Sequence, residues 1–149
     1  MLNQLITRDV IKLNVHCENW KQAIETGVYL LIDKGFVEKR YYESIIENFK
    51  KMGTYMVIAP GIVLSHARPE NGVNEMSMSL ITLKNPVEFG SELNDPVKLV
   101  ITLAAKDSET HLKALSQLME LFMNSKDLRE IIQASNKNEV IDIINKYSY

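Results

Sequence analysis

The chain has 149 residues, 46% of them apolar and 24% charged, with a net charge of −2 and one cysteine. At that length one domain is expected over residues 1–149, burying roughly 70% of its unfolded surface without help from disulfides or metals. The balance excludes a disordered or fibrous chain, and 17 scattered Lys and Arg speak against nucleic acid as the main partner.

Ile11, Leu13 and Val15 alternate with Lys12 and Asn14, which predicts a short strand. Trp20, Ala23, Ile24, Val28, Leu31 and Ile32 recur at helical spacing, with Gly35 placed to stop the helix. Tyr42, Ile45, Ile46 and Phe49 predict a second helix ending near Gly53. The period then changes to two. Met56–Ala59 is a short apolar run, Pro60-Gly61 breaks it, and Ile62-Val63-Leu64 resumes it. Met76–Leu80 alternates as a strand, which is expected to continue to Leu83. Val97–Ala105 reads as a buried strand with Val97, Leu99, Ile101 and Leu103 facing one way. Beyond Asp107-Ser108, either of which suits an N-cap, Leu112, Leu115, Leu118, Met119 and Phe122 form a helical stripe. Two shorter amphipathic segments follow, Leu128–Ile132 and Val140–Ile144. Helices, strands, then helices again predict an α/β domain whose sheet is covered on both faces, with strand order left open.

No apolar stretch approaches the ~20 residues that span a bilayer. MLNQLITRDV has no basic region followed by an apolar one, so no secretion signal and no membrane insertion are expected. Cys17 alone makes neither an intramolecular disulfide nor a multi-cysteine metal site, which suits a reducing cytosol. Six glycines include no nucleotide-binding signature, and no zinc-protease, paired-cysteine or calcium-loop pattern is present, so no cofactor or metal is implied. Glu43 and Glu47 fit a solvated helix face, and His16 beside Cys17 gives two ligand types but not a site.

The unusual stretch runs from Ala59 to Gly72. Apolar residues lead into His66, and prolines and turn residues follow, which places the imidazole where an extended segment opens into a loop. Ser65 adjoins it, but neighbours in an extended chain point to opposite faces, so the two do not form a nucleophile–base pair. Arg68, two residues on, suits an anion on the same side as His66. A plain surface histidine in a turn is the alternative. His111 shares a helical face with Leu115, Leu118 and Phe122 in the first turn of its helix, where free N–H groups favour an anion. A core histidine bonded to a carbonyl is the alternative there.

These residues carry a resemblance. GIVLSHARPENGV resembles the active-site segment of enzyme IIA domains of the mannitol/fructose type in the bacterial phosphoenolpyruvate-dependent sugar phosphotransferase system. The family pattern is Gly-Ile-Ala-Leu/Ile-Pro-His; here Gly61-Ile62-Val63-Leu64-Ser65-His66 stands in its place. Ala67-Arg68-Pro69-Glu70 and the segment from Tyr55 to Gly61 are most similar to the ascorbate-type branch, and His111 with Leu115 and Leu118 resembles the second family motif. The early helix with Trp20 and Ala23 also fits.

The resemblance implies a mixed central sheet flanked by helices on both faces. It implies that phosphorylated HPr gives its phosphoryl group to Nε2 of His66, and that the group passes to a cysteine of a cognate enzyme IIB and on to an ascorbate-like sugar. It makes His111 a group that holds the phosphoryl. Ser65 stands where the family has proline, so it either donates to the phosphoryl group or loosens the chain entering His66. Two further functions stay open: a regulatory relative whose phosphorylation state controls a partner, and a binding module in which His66 is incidental.

Overall fold

Five strands build one mixed sheet in the computed structural model, which describes residues 1–149. β1 (Ile11–Val15), β2 (Val57–Ala59), β3 (Ile62–Ser65), β4 (Ser77–Val87) and β5 (Val97–Ala104) lie side by side in the order β1-β4-β5-β3-β2. β1 is parallel to β4 and β3 to β5, whereas β4–β5 and β2–β3 are antiparallel. The antiparallel partners follow one another along the chain, as short connections allow; the parallel ones need long crossovers. Pro60-Gly61 turns β2 into β3, and Gly61 takes φ +77°, a conformation that suits glycine at the second position of a Pro-Gly turn.

Six helices cover the sheet: α1 (Leu2–Leu5), α2 (Trp20–Ile32), α3 (Lys39–Met52), α4 (Ser108–Met123), α5 (Ser125–Gln133) and α6 (Lys137–Lys146). On one face Ala23, Ile24, Val28 and Leu31 of α2 and Tyr41, Ile45 and Phe49 of α3 pack with Val63, Ile81 and Val100. On the other, Leu118 and Leu121 of α4, Ile131 of α5 and Val140 and Ile144 of α6 pack with Ile62, Leu64, Leu80, Leu99 and Ile101. Each buried aliphatic side chain contributes about 1.5–3 kcal/mol, so both layers are needed to offset the ordering of the chain. The expected two-faced α/β arrangement is what forms.

Short side chains start the helices. Asn19, Asp107, Asn124 and Asn136 each accept a bond from the amide three residues on, satisfying one of the free donors of a first turn. The N-cap of α4 is therefore Asp107 rather than Ser108. α3 ends at Gly53, as its sequence predicts.

α1, with four residues, is too short to show a period in the sequence. Two expectations change. Val97 packs with the α2/α3 face while Leu99, Ile101 and Leu103 pack with the other. A register shift lies beside Val97, where β4 carries extra residues between Thr82 and Val87. The stripe of α4 is also rotated: its buried residues are Ala114, Gln117, Leu118, Leu121 and Phe122, whereas Leu112 is 63% exposed and Met119 38%. Gln117 hides this face in the sequence because it is polar, and it is buried because its amide donates to the Tyr149 carbonyl at 2.6 Å.

Candidate active site

β3 is buried along its whole length and delivers its chain to the edge of a cleft. The next residue, His66, is half-buried, and Pro69–Asn71 then closes a tight helical turn that ends on Gly72, φ +125°. A side chain at Gly72 would meet Arg40, Glu38 and the Tyr41 amide at 3.2–3.3 Å, so the turn lies directly against the start of α3. The Arg40 guanidinium donates to the Glu70 carbonyl at 2.8 Å, and the Glu38 amide to the Gly72 carbonyl at 2.8 Å. The loop after His66 is thereby tied to α3 at several points.

The imidazole of His66 has a defined orientation. Its Nδ1 lies 2.9 Å from the Leu64 carbonyl. A carbonyl only accepts, so Nδ1 carries the proton and the neutral ring keeps its lone pair on Nε2. Tyr55 stands edge-on to the ring, centroids 5.6 Å apart and planes at 77°. His111, from the first turn of α4, lies on another side at 5.7 Å, tilted by 57°. Burial holds the His66 imidazole below its ordinary value of 6.5; the Leu64 bond opposes this, and charge on His111 adds to it. The ring is neutral at pH 7 and nucleophilic at Nε2.

Both histidines line one cleft of about 440 Å³. Asn48 and Met52 of α3 and Tyr55 wall one side, Ala67, Arg68 and Pro69 another, and Asp107, Ser108 and Leu112 the start of α4. Arg68 is exposed and lines this cleft, so the sequence-derived trio of His66, Arg68 and His111 converges on one space. Bonds from the Thr110 amide and hydroxyl hold the Asp107 carboxyl below its ordinary 3.8, so that carboxylate stays charged and occupied in capping. No group of three His, Cys, Asp or Glu side chains is placed to hold a metal ion.

Ser65 does not join the trio. It is wholly buried, and by alternation along β3 it shares the face of Val63, beneath α2 and α3, while His66 follows Leu64 toward α4. Its hydroxyl has no hydrogen-bond partner. Tyr55, Asn48, Met52 and Leu112 are members of the cleft that the sequence reading did not assign to it. Asn48 gives no local signal, since it is a lone polar residue bordering the buried face of α3; Leu112 was concealed within an apparent core stripe.

A histidine with one ring nitrogen unbonded, a second histidine beside it and the start of a helix meet in one cleft on a mixed α/β sheet. The family model for the phosphoenolpyruvate-dependent sugar phosphotransferase system, EIIA 2, matches residues 4–147. The chain belongs to that family, the EIIA phosphotransferases of bacterial sugar uptake. It is 39% identical over 137 residues to the ascorbate-specific EIIA component of Escherichia coli K12, covering 91% of this chain and 89% of that one. Against the ascorbate-specific EIIA component of Salmonella typhi it is 39% identical over 145 residues, covering 97% and 94%. The solution structure of the mannitol-specific cryptic enzyme IIA CmtB of Escherichia coli superposes with a TM-score of 0.87 at 32% identity, covering 97% of this chain and 98% of that one. Enzyme IIA in the Escherichia coli complex of the mannitol enzyme IIA with phosphorylated enzyme IIB shares the fold, with a TM-score of 0.84 at 20% identity and coverage of 95% and 99%.

Proposed function

We propose that Nε2 of His66 is the phosphoryl acceptor, taking the group from phosphorylated HPr and yielding it to a cysteine of an enzyme IIB in a cytoplasmic, ascorbate-like uptake system. One observation carries this reading: the Nδ1–H bond to Leu64 leaves Nε2 bare in the cleft that His111 and Arg68 also line. In the forward step the Nε2 lone pair forms a bond to phosphorus as the donor's N–P bond breaks, and that electron pair returns to the donor imidazole. The reaction costs no net charge separation if the three phosphoryl oxygens find donors already in place. His111 and the Arg68 guanidinium are those donors.

The ascorbate assignment rests on the relatives' names, and the partners on the family's chemistry. No helix is long and apolar enough to cross a membrane. Around the cleft, Met52 is 58%, Tyr55 40% and Leu112 63% exposed, an apolar rim suited to docking two successive protein partners. Incubation with labelled phosphoenolpyruvate, enzyme I and HPr tests the reading. Label should appear on this protein, be lost in mild acid, survive base, and move to an ascorbate-type enzyme IIB when that is added. Label that survives acid identifies a hydroxyl acceptor and overturns the assignment.

A further inference from the structure

Tyr41 is the largest of the fully buried side chains, and its hydroxyl sits where two strands part. β3 and β5 pair in parallel from Ile62↔Leu99 to Ser65↔Thr102, and there the ladder stops. Just beyond, the Ala67 amide and the Leu103 carbonyl are joined through the Tyr41 hydroxyl, which accepts from the Ala67 N–H at 3.0 Å and donates to the Leu103 carbonyl at 2.7 Å. The Ala67 carbonyl is also near, at 3.3 Å, but one hydroxyl proton serves the shorter bond. Burial pushes the phenol up to about 12, so it remains a donor at every working pH.

The two segments it joins are those that carry the two histidines. Ala67 follows His66 directly. Leu103 is the penultimate residue of β5, which ends at Ala104 and continues through Ala105 into α4 and His111. Tyr41 itself projects from the first turn of α3, the helix already tied to the loop after His66 through Arg40 and Glu38. From this geometry we infer that Tyr41 is a positioning residue: its hydroxyl is the spacer that ends the β3–β5 ladder, directs His66 out of the sheet, and fixes the His66 ring relative to His111. The inference rests on His66 being the acceptor only for its kinetic consequence. Without the hydroxyl, Ala67 N–H and Leu103 C=O are left buried and unpaired, and their cheapest remedy is to bond each other. That closes the ladder by one rung and draws the chain bearing His66 inward.

The test compares Tyr41→Phe with Ile45→Val, a loss of core volume one turn along α3 that leaves the Tyr41 hydroxyl and both its bonds in place. Binding of unphosphorylated HPr, the rate of phosphoryl acceptance, and the 15N shifts of the His66 ring are measured for each. Tyr41→Phe should bind HPr as the wild type does yet accept phosphate about tenfold to a hundredfold more slowly, the range expected when a reacting group is displaced by up to an ångström. Its Nδ1 and Nε2 shifts should move toward each other as the fixed tautomer becomes a mixture. Ile45→Val should leave both readouts at wild-type values. If Tyr41→Phe does not fold, 4-aminophenylalanine at position 41 replaces it: the amine still donates to Leu103 but accepts poorly from Ala67, so the same slowing and shift change are expected. Wild-type acceptance and wild-type ring shifts in whichever variant folds overturn the inference. If the wild type itself takes no phosphate, the functional reading fails, and the ring shifts alone decide whether Tyr41 sets the orientation of His66.

Discussion

Ser65 and Thr102 are register partners on β3 and β5, both wholly buried, and neither hydroxyl has a hydrogen-bond partner. Burying an unpaired hydroxyl costs about 1–3 kcal/mol, and apolar side chains of similar size fit such positions at least as well. Ser65 is also absent from the lining of the cleft. Ser65→Ala should therefore accept phosphate at the wild-type rate and unfold at the same or a higher temperature. Labelling time courses and a thermal melt check both halves. A clear loss of rate with the melt unchanged would mean that the hydroxyl reaches the phosphoryl group after all.

What the sequence reveals follows how each element buries itself. Ile11, Leu13 and Val15 announce β1 because Lys12 and Asn14 on this edge strand are left less covered than its inward residues. β3 and β5 are central and buried on both faces, so they show as apolar runs with no phase, and the face of Val97 is unreadable. Strand order is hidden for a related reason: the β1–β4 and β3–β5 pairs are parallel and distant in sequence, with no turn to mark them. His66 is legible because the turn residues around it are punctuation. The setting of His111 is only partly so, because Gln117 disguises the buried face of α4 and Leu112 imitates it. Tyr55, Asn48 and Tyr41 reach the site only through tertiary packing.

Gly27 marks the closest approach of α2 to the sheet. A Cβ there would stand 2.7 Å from the Thr102 hydroxyl oxygen, and Ser79 already donates to the Gly27 carbonyl at 2.7 Å. Alanine favours a helix over glycine by about 1 kcal/mol. Overpacking a filled core costs about 1–3 kcal/mol, so Gly27→Ala should be neutral at best and destabilising in most of that range. Thr102→Ala in the same chain removes the obstructing atom. A double-mutant cycle by urea denaturation should then give a favourable coupling between the two changes; strict additivity would show that the helix simply shifts away.

The rim of the cleft should govern docking without governing stability. Leu112 is 63% exposed, so Leu112→Gln removes little that the fold uses. Losing an exposed apolar anchor at a protein interface costs about 1–2 kcal/mol, which is roughly tenfold in affinity. The expected result is a raised KM for phosphorylated HPr, an unchanged maximal rate and an unchanged melting temperature. Titration calorimetry with HPr gives an independent value. Equal loss in KM and in thermal stability would return Leu112 to the core stripe.

His66 also sets a pH dependence. Burial is the main reason its imidazole is held below the ordinary 6.5. The unfolded chain then binds more protons than the folded one as pH falls below 6.5, so stability declines with acidity over that window and levels off below the folded value. Above 6.5 the group contributes no pH dependence. Phosphoryl acceptance should be flat through neutral pH and fall only when Nε2 becomes protonated, at a midpoint under 6.5. Urea midpoints from pH 5 to 8 for wild type and His66→Gln separate this residue from the carboxylates. A midpoint for acceptance above 6.5 would contradict a buried, neutral ring.

The two histidines should fail differently. His66→Ala removes the nucleophile, so no labelled phosphate should pass from HPr above background. His111→Ala leaves Nε2 of His66 with its Leu64 bond intact and takes away one donor to the phosphoryl oxygens. Deleting a single donor to developing charge costs about 2.7–4 kcal/mol, a hundredfold to a thousandfold in rate. Acceptance by His111→Ala should therefore be slow and measurable, and transfer onward to enzyme IIB slowed as well. Because His111 is half-buried at the start of α4 and the core of that helix begins at Ala114, both variants should retain the wild-type fold by circular dichroism. Removing His111 also removes a positive charge that depresses the His66 ring, so the acceptance midpoint of this variant should move upward in pH. A urea midpoint equal to that of the wild type separates loss of a neighbouring imidazole from a general loosening of the cleft, which would lower stability along with the rate. Phosphate on His66→Ala with none on His111→Ala would reverse the roles, making His111 the acceptor and His66 its support.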